Sequence, residues 1–153
     1  MTQMVDSHQQ KLSTDQIVQI ASENTRAPYP FKKVYMLFVA EMGMPNTKLY
    51  KIGNTLFIIH PSDNDPTYGI FRALNADTAR NFVENGKEFV DRAVSDGFKA
   101  LKTQFSDPSI LQIFNIIGRE EQELQNPNLG YAVGRAKNGD YSVSLMLGER
   151  RGQ

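Results

Sequence analysis

Glu41 and His60 are the residue types best suited to act as a general base, and both fall at the ends of predicted strands. Neither has a partner at a recognisable spacing, so each also reads as a solvated strand end. The only other imidazole is His8, and cysteine is absent. That excludes disulfides, thiolate metal sites and a cysteine nucleophile, and two unpaired histidines predict no metal site. A second chemical feature is the run Asn75-Ala76-Asp77-Thr78-Ala79-Arg80, which leads into a long helical stripe. A helix N-terminus presents free backbone N–H groups to an anion. The simpler use of this run is a cap supplied by Asp77 or Asn75. Arg80 is a single exposed cation that could pair with a phosphate. The third feature is Phe114, on the apolar stripe of a short helix, which reads as core and has no proton to give.

These residues need elements to hold them. Residues 1–12 read as a polar N-terminal arm, and 13–153 as a single domain. Ser13-Thr14-Asp15-Gln16 has capping-box spacing, so a helix is predicted over 13–24, broken by Ala27-Pro28-Tyr29-Pro30. Residues 33–40, KVYMLFVA, are rich in strand formers and predict a buried strand. Residues 49–59 predict a second, with Gly53-Asn54 as a bulge or tight turn, and 68–74 a third, giving an antiparallel meander. Phe82, Phe89, Val90, Ala93 and Val94 share one helical stripe, so a long helix is predicted over 78–96, ending at Gly97. A strand over 98–105 should run parallel to 68–74 through that helix. Asp107 and Pro108 open a short helix whose buried face is Ile110, Ile113, Phe114 and Ile117. Asn138-Gly139 then closes a hairpin of 130–136 and 141–147.

Composition narrows the partners. Seventeen basic and 17 acidic side chains give zero formal charge, so no basic excess favours a nucleic-acid backbone. No apolar run approaches the ~18 residues that span a bilayer, and the first ten residues lack a signal-peptide core, so a cytoplasmic location is expected.

The element order, with Gly97, Asp107, Phe114 and Gly118 at their spacings, resembles a GNAT-fold acetyltransferase lacking its first strand. The resemblance implies an α/β (α+β) three-layer sandwich, a mixed twisted sheet with helices on both faces. It also implies an acetyl-CoA site at the start of the long helix, on Asn75, Ala76, Asp77, Thr78, Ala79 and Arg80. There the family's glycines are missing: Arg80 and Phe82 hold the small-residue places, and Asp77 puts a negative charge where pyrophosphate should sit. Phe114 replaces the Tyr that in many members protonates the departing thiolate, and Asp107 replaces an Asn. Arg119 follows Gly118 where the family usually has an aromatic residue.

The segments Phe82 to Val94, Ile110 to Gly118 and Tyr131 to Leu147 further resemble small GNAT-like virion-associated proteins of T7-like bacteriophages. That likeness implies a protein in the cytoplasm of a host cell, or in a virion, that assembles with phage proteins. The expectation is therefore a catalytically degenerate binding or assembly module without a cofactor, partnered by proteins, a homo-oligomer included, rather than by nucleic acid or membrane. The alternative is an active N-acetyltransferase that uses acetyl-CoA, with Glu41 or His60 as base.

Overall fold

The computed structural model describes residues 11–24, 30–105, 111–116, 119 and 130–147. Residues 1–10, the break at 25–29, the cap residues Asp107 and Pro108, and Ile110, Ile117 and Gly118 lie outside the described residues.

Helix α1 (Thr14–Asn24) starts where the capping box predicts. The Ser13 N–H donates to Gln16 Oε1 at 2.8 Å, and the Gln16 N–H donates to Ser13 Oγ at 3.1 Å. Its apolar stripe buries Ile17 and Val18 completely.

Residues 33–40, expected as a strand, belong instead to helix α2 (Phe31–Met42). Pro30, extended at φ −68° and ψ 159°, is its N-cap, which suits a residue with no N–H to donate. The prediction failed because α2 is apolar on nearly all sides. Phe31, Val34, Tyr35, Phe38 and Met42 pack inward, while Met36, Leu37 and Val39 face solvent. A helix apolar all round shows no amphipathic period, so the β-branched and aromatic content decided the reading.

The meander is therefore β1 (Lys48–Ile52), β2 (Thr55–Pro61) and β3 (Tyr68–Asn75). Gly53-Asn54 is a two-residue hairpin turn between β1 and β2, with Gly53 at φ +58°, rather than a bulge. Helix α3 (Ala79–Ser95) crosses to β4 (Ala100–Phe105), which pairs in parallel with β3. It closes on Gly97 at φ +97°. The Gly97 and Phe98 N–H groups donate to Val94 O and Ala93 O, both at 3.0 Å, the double bond of a Schellman end. Residues 111–116 are helical. Strands β5 (Gly130–Arg135) and β6 (Tyr141–Met146) form the predicted hairpin, with Gly139 at φ +93°.

All six strands form one sheet in the order β1-β2-β3-β4-β6-β5. The core has two halves that share β2. Phe57 and Ile59 face α3 and Phe114, and Leu56 and Ile58 face α1 and α2. Strand periodicity makes this unavoidable: five consecutive buried residues, Thr55 to Ile59, must feed both faces. The result is a three-layer α/β sandwich with a mixed sheet. No helix among the described residues is long and apolar enough to cross a membrane.

Candidate functional site

Strands β3 and β4 stay paired only from Tyr68–Ile70 to Ala100–Lys102. Beyond that point β3 continues to Asn75 on β2, while β4 continues to Phe105 on β6. The two parallel strands diverge, and among the described residues β3 has no strand partner on one edge over 71–75. Such an edge offers backbone N–H and C=O groups to an extended ligand.

On the α3 side this wedge is filled by carbon. Phe114 bridges the diverging strands, edge-on to Phe71 of β3 at 5.9 Å and stacked with Phe105 of β4 at 5.6 Å. Phe105 in turn meets Tyr141 at 5.9 Å. Phe57, Phe82, Phe89 and Leu145 complete the wall, leaving a void of about 10 Å³, room for at most one water. Phe114 is 8% exposed. Its ring is the plug of the wedge.

The turn Asn75-Ala76-Asp77-Thr78-Ala79-Arg80 lies at the start of α3, and its polar groups bond one another. Thr55 Oγ1 donates to Asn75 Oδ1 at 2.7 Å, and Asn75 Nδ2 donates to Asp77 O at 2.9 Å. The Asp77 N–H returns to Asn75 Oδ1 at 3.1 Å. The Asp77 carboxylate accepts from the Asn54 N–H at 2.9 Å and from Asn85 Nδ2 at 2.8 Å. It is therefore tied sideways to the β1–β2 turn, and the N-cap is Thr78, whose side chain accepts from the Asn81 N–H at 3.2 Å. The expected cap, Asp77 or Asn75, is one to three residues too early because both side chains are engaged elsewhere. The Ala76 N–H donates to Asn54 O at 2.8 Å. Arg80 is exposed and pairs with Glu84 at 3.6 Å, one turn along its own helix. An incoming pyrophosphate would meet the Asp77 charge in a turn whose Ala76 and Asp77 N–H groups already serve internal acceptors.

Glu41 and His60 meet on the opposite face, at the C-terminal end of α2. Their carboxylate and Nε2 are 3.7 Å apart. Thr47 Oγ1 lies 3.0 Å from His60 Nδ1 and donates its single proton to Glu41 O at 3.1 Å. Nδ1 must then be the protonated nitrogen, donating to Thr47, which leaves Nε2 buried without a hydrogen bond. Arg72 Nε sits on the Glu41 carboxylate, so that carboxylate is already engaged in an ion pair. Sequence reasoning missed Thr47 and Arg72. Only the β2–β3 register, which pairs His60 with Ile70, places Arg72 on the same face.

The three features do not converge. Phe114 lies on the α3 face, Glu41 and His60 lie on the α1–α2 face, and the 75–80 turn is at the Thr55 end of β2. Among the described residues no group of three ligating side chains could hold a metal.

No sequence-family profile and no curated protein matches the chain. Among solved structures it is similar to TofI in a ternary complex with an inhibitor and MTA, at 13% identity and a TM-score of 0.37, covering 91% of this chain and 88% of that one. At that score the likeness carries no weight for substrate or activity.

Proposed function

We propose that the chain is a catalytically degenerate GNAT-fold protein that serves as a binding or assembly module, virion-associated or acting in assembly of a bacteriophage. The observation that carries this reading is Phe114 bridging Phe71 and Phe105, which fills with aromatic carbon the wedge that an acyl carrier would need. The internally bonded Asp77 supports it at the phosphate end. Turnover without either feature would rest on proximity alone. The phage attribution rests on the sequence resemblance and is checked by mass spectrometry of purified particles.

An active N-acetyltransferase remains the second reading because, among the described residues, the 71–75 edge of β3 has no strand partner, and an extended acyl carrier could pair with such an edge. Calorimetric titration with acetyl-CoA at millimolar concentration separates the two. Negligible heat is expected. A dissociation constant in the low micromolar range would overturn the degenerate reading and promote the enzyme.

A further inference from the structure

The two outer sides of the molecule differ in character. On the α3 side, solvent meets ion pairs along the helix: Arg80–Glu84, Lys87–Glu84 and Arg92–Glu88. On the other side it meets exposed apolar side chains of α2, β3 and β6 set among polar ones, Arg72 and Lys102 included. Met36 and Leu37 of α2 are 61% and 55% exposed. Ile70 of β3 is 57% exposed, and Met146 of β6 is 48% exposed. The pairings Ile70–Lys102, Tyr68–Ala100 and Ala100–Met146 put these side chains on the α2 face of the sheet. No described helix covers that face over β4 and β6. Among the described residues there is thus a helix with an apolar outer surface and a half-sheet without a helix layer.

We propose that a second copy of this chain fills both deficits, each α2 docking antiparallel to its mate and onto the Ile70–Ala100–Met146 face of the other copy. This rests on the assembly reading and names its first partner. Two observations favour a second copy over an unrelated protein. The first is area. A 12-residue helix is about 18 Å long and 10 Å wide, too little alone for the ~800 Å² that each partner contributes to a stable interface. A two-fold axis makes the helix-on-sheet contact twice, plus the α2–α2 contact between them.

The second is charge. Glu41, at the end of α2, touches His60, so the C-terminus of α2 sits at the end of β2 from which the Ser62–Pro66 loop departs. That loop carries Asp63 and Asp65, both exposed, while the N-terminus of α2 carries exposed Lys32 and Lys33. Antiparallel docking brings the lysines of each copy to the aspartates of the other. Opposite charges at both ends fix the orientation, and the zero net charge of the chain does not oppose self-association.

Sedimentation velocity at tens of micromolar tests this. A dimer is expected, and Leu37→Glu or Ile70→Glu should weaken it more than about tenfold. Both sites are exposed on the single chain, so the variants should fold to a monomer with the wild-type far-ultraviolet spectrum, and Val133→Glu on the opposite face should leave the dimer intact. Lys33→Glu should also weaken it, and adding Asp63→Lys to the same chain should restore it. A monomer overturns the proposal and leaves the face to a protein of different sequence. A dimer indifferent to Leu37→Glu and Ile70→Glu overturns it as well, and failure of the charge swap to restore association overturns the antiparallel docking. Acetyl-CoA binding by these variants would sink the degenerate reading without touching the dimer, so the two failures are distinguishable.

Discussion

Phe114 is the residue on which the site turns. Its ring touches Phe71 and Phe105 with 8% exposure, so Phe114→Ala should cost about 3–5 kcal/mol. Phe114→Tyr places a hydroxyl among aromatic rings and should cost about 1–3 kcal/mol without creating acetyl transfer. Thermal melts with an acetylation assay read both outcomes. A Tyr variant that melts with the wild type and acetylates an amine would mean the wedge is a latent site. Tyr50 gives a second prediction at this scale. Its hydroxyl donates to Asp96 at 2.5 Å, and burial first, then that bond and the Asp96 charge, hold its phenol well above its usual value. The folded state therefore keeps a proton that the unfolded chain releases near pH 10. Stability from Tyr50 is complete below that pH and falls as pH rises beyond it. Tyr50→Phe should cost about 1 kcal/mol at neutral pH and flatten this alkaline loss. Chemical denaturation at pH 7 and above pH 10 checks it, and an unchanged alkaline slope in the variant would remove Tyr50 as the cause.

At the scale of elements, the ends of helices and the turns were legible because a few local residues decide them. Ser13 with Gln16, Gly97, and Asn138-Gly139 each solve a backbone problem within five residues. Helix α2 was not legible. Lys33 to Ala40 has the composition of a strand, and as a helix it places Phe31, Tyr35 and Phe38 in one cluster with Ile17 and Val18 of α1 and Leu56 and Ile58 of β2. The count of strands in the meander survived for an unrelated reason: 49–59 is two strands joined at Gly53, which replaced the one lost at 33–40. Strand β3 depends on another glycine. A Cβ on Gly69 would lie 2.6 Å from Cγ2 of Ile59, a side chain with no exposure and nowhere to move. Gly69→Ala should therefore cost about 1–3 kcal/mol through overpacking. It should also disturb the short β3–β4 pairing that opens the wedge, since Gly69 pairs with Leu101. A denaturant series measures the first, and amide exchange at 68–70 and 100–102 the second; a neutral variant would show that Ile59 can yield.

At the scale of the whole molecule, β2 joins the two half-cores, so the layers should unfold together. Leu56→Ala, facing α1 and α2, and Phe57→Ala, facing α3, should each cost about 2–5 kcal/mol yet lower one common transition. Separate transitions by far-ultraviolet dichroism and tyrosine fluorescence would show that the layers fold apart. The amino-acid sequence by itself determined the long helix, the β3–α3–β4 unit, the terminal hairpin and the missing groups: no glycine at the start of α3 and no hydroxyl at residue 114. Those are matters of local period and residue type. Tertiary structure decided what those residues touch. It brought Glu41 to His60 across 19 positions, tied Asp77 to Asn54 and Asn85, and set Phe114 between Phe71 and Phe105. The physical reason is that contacts between distant residues depend on strand register and layer packing, which no short window of sequence contains.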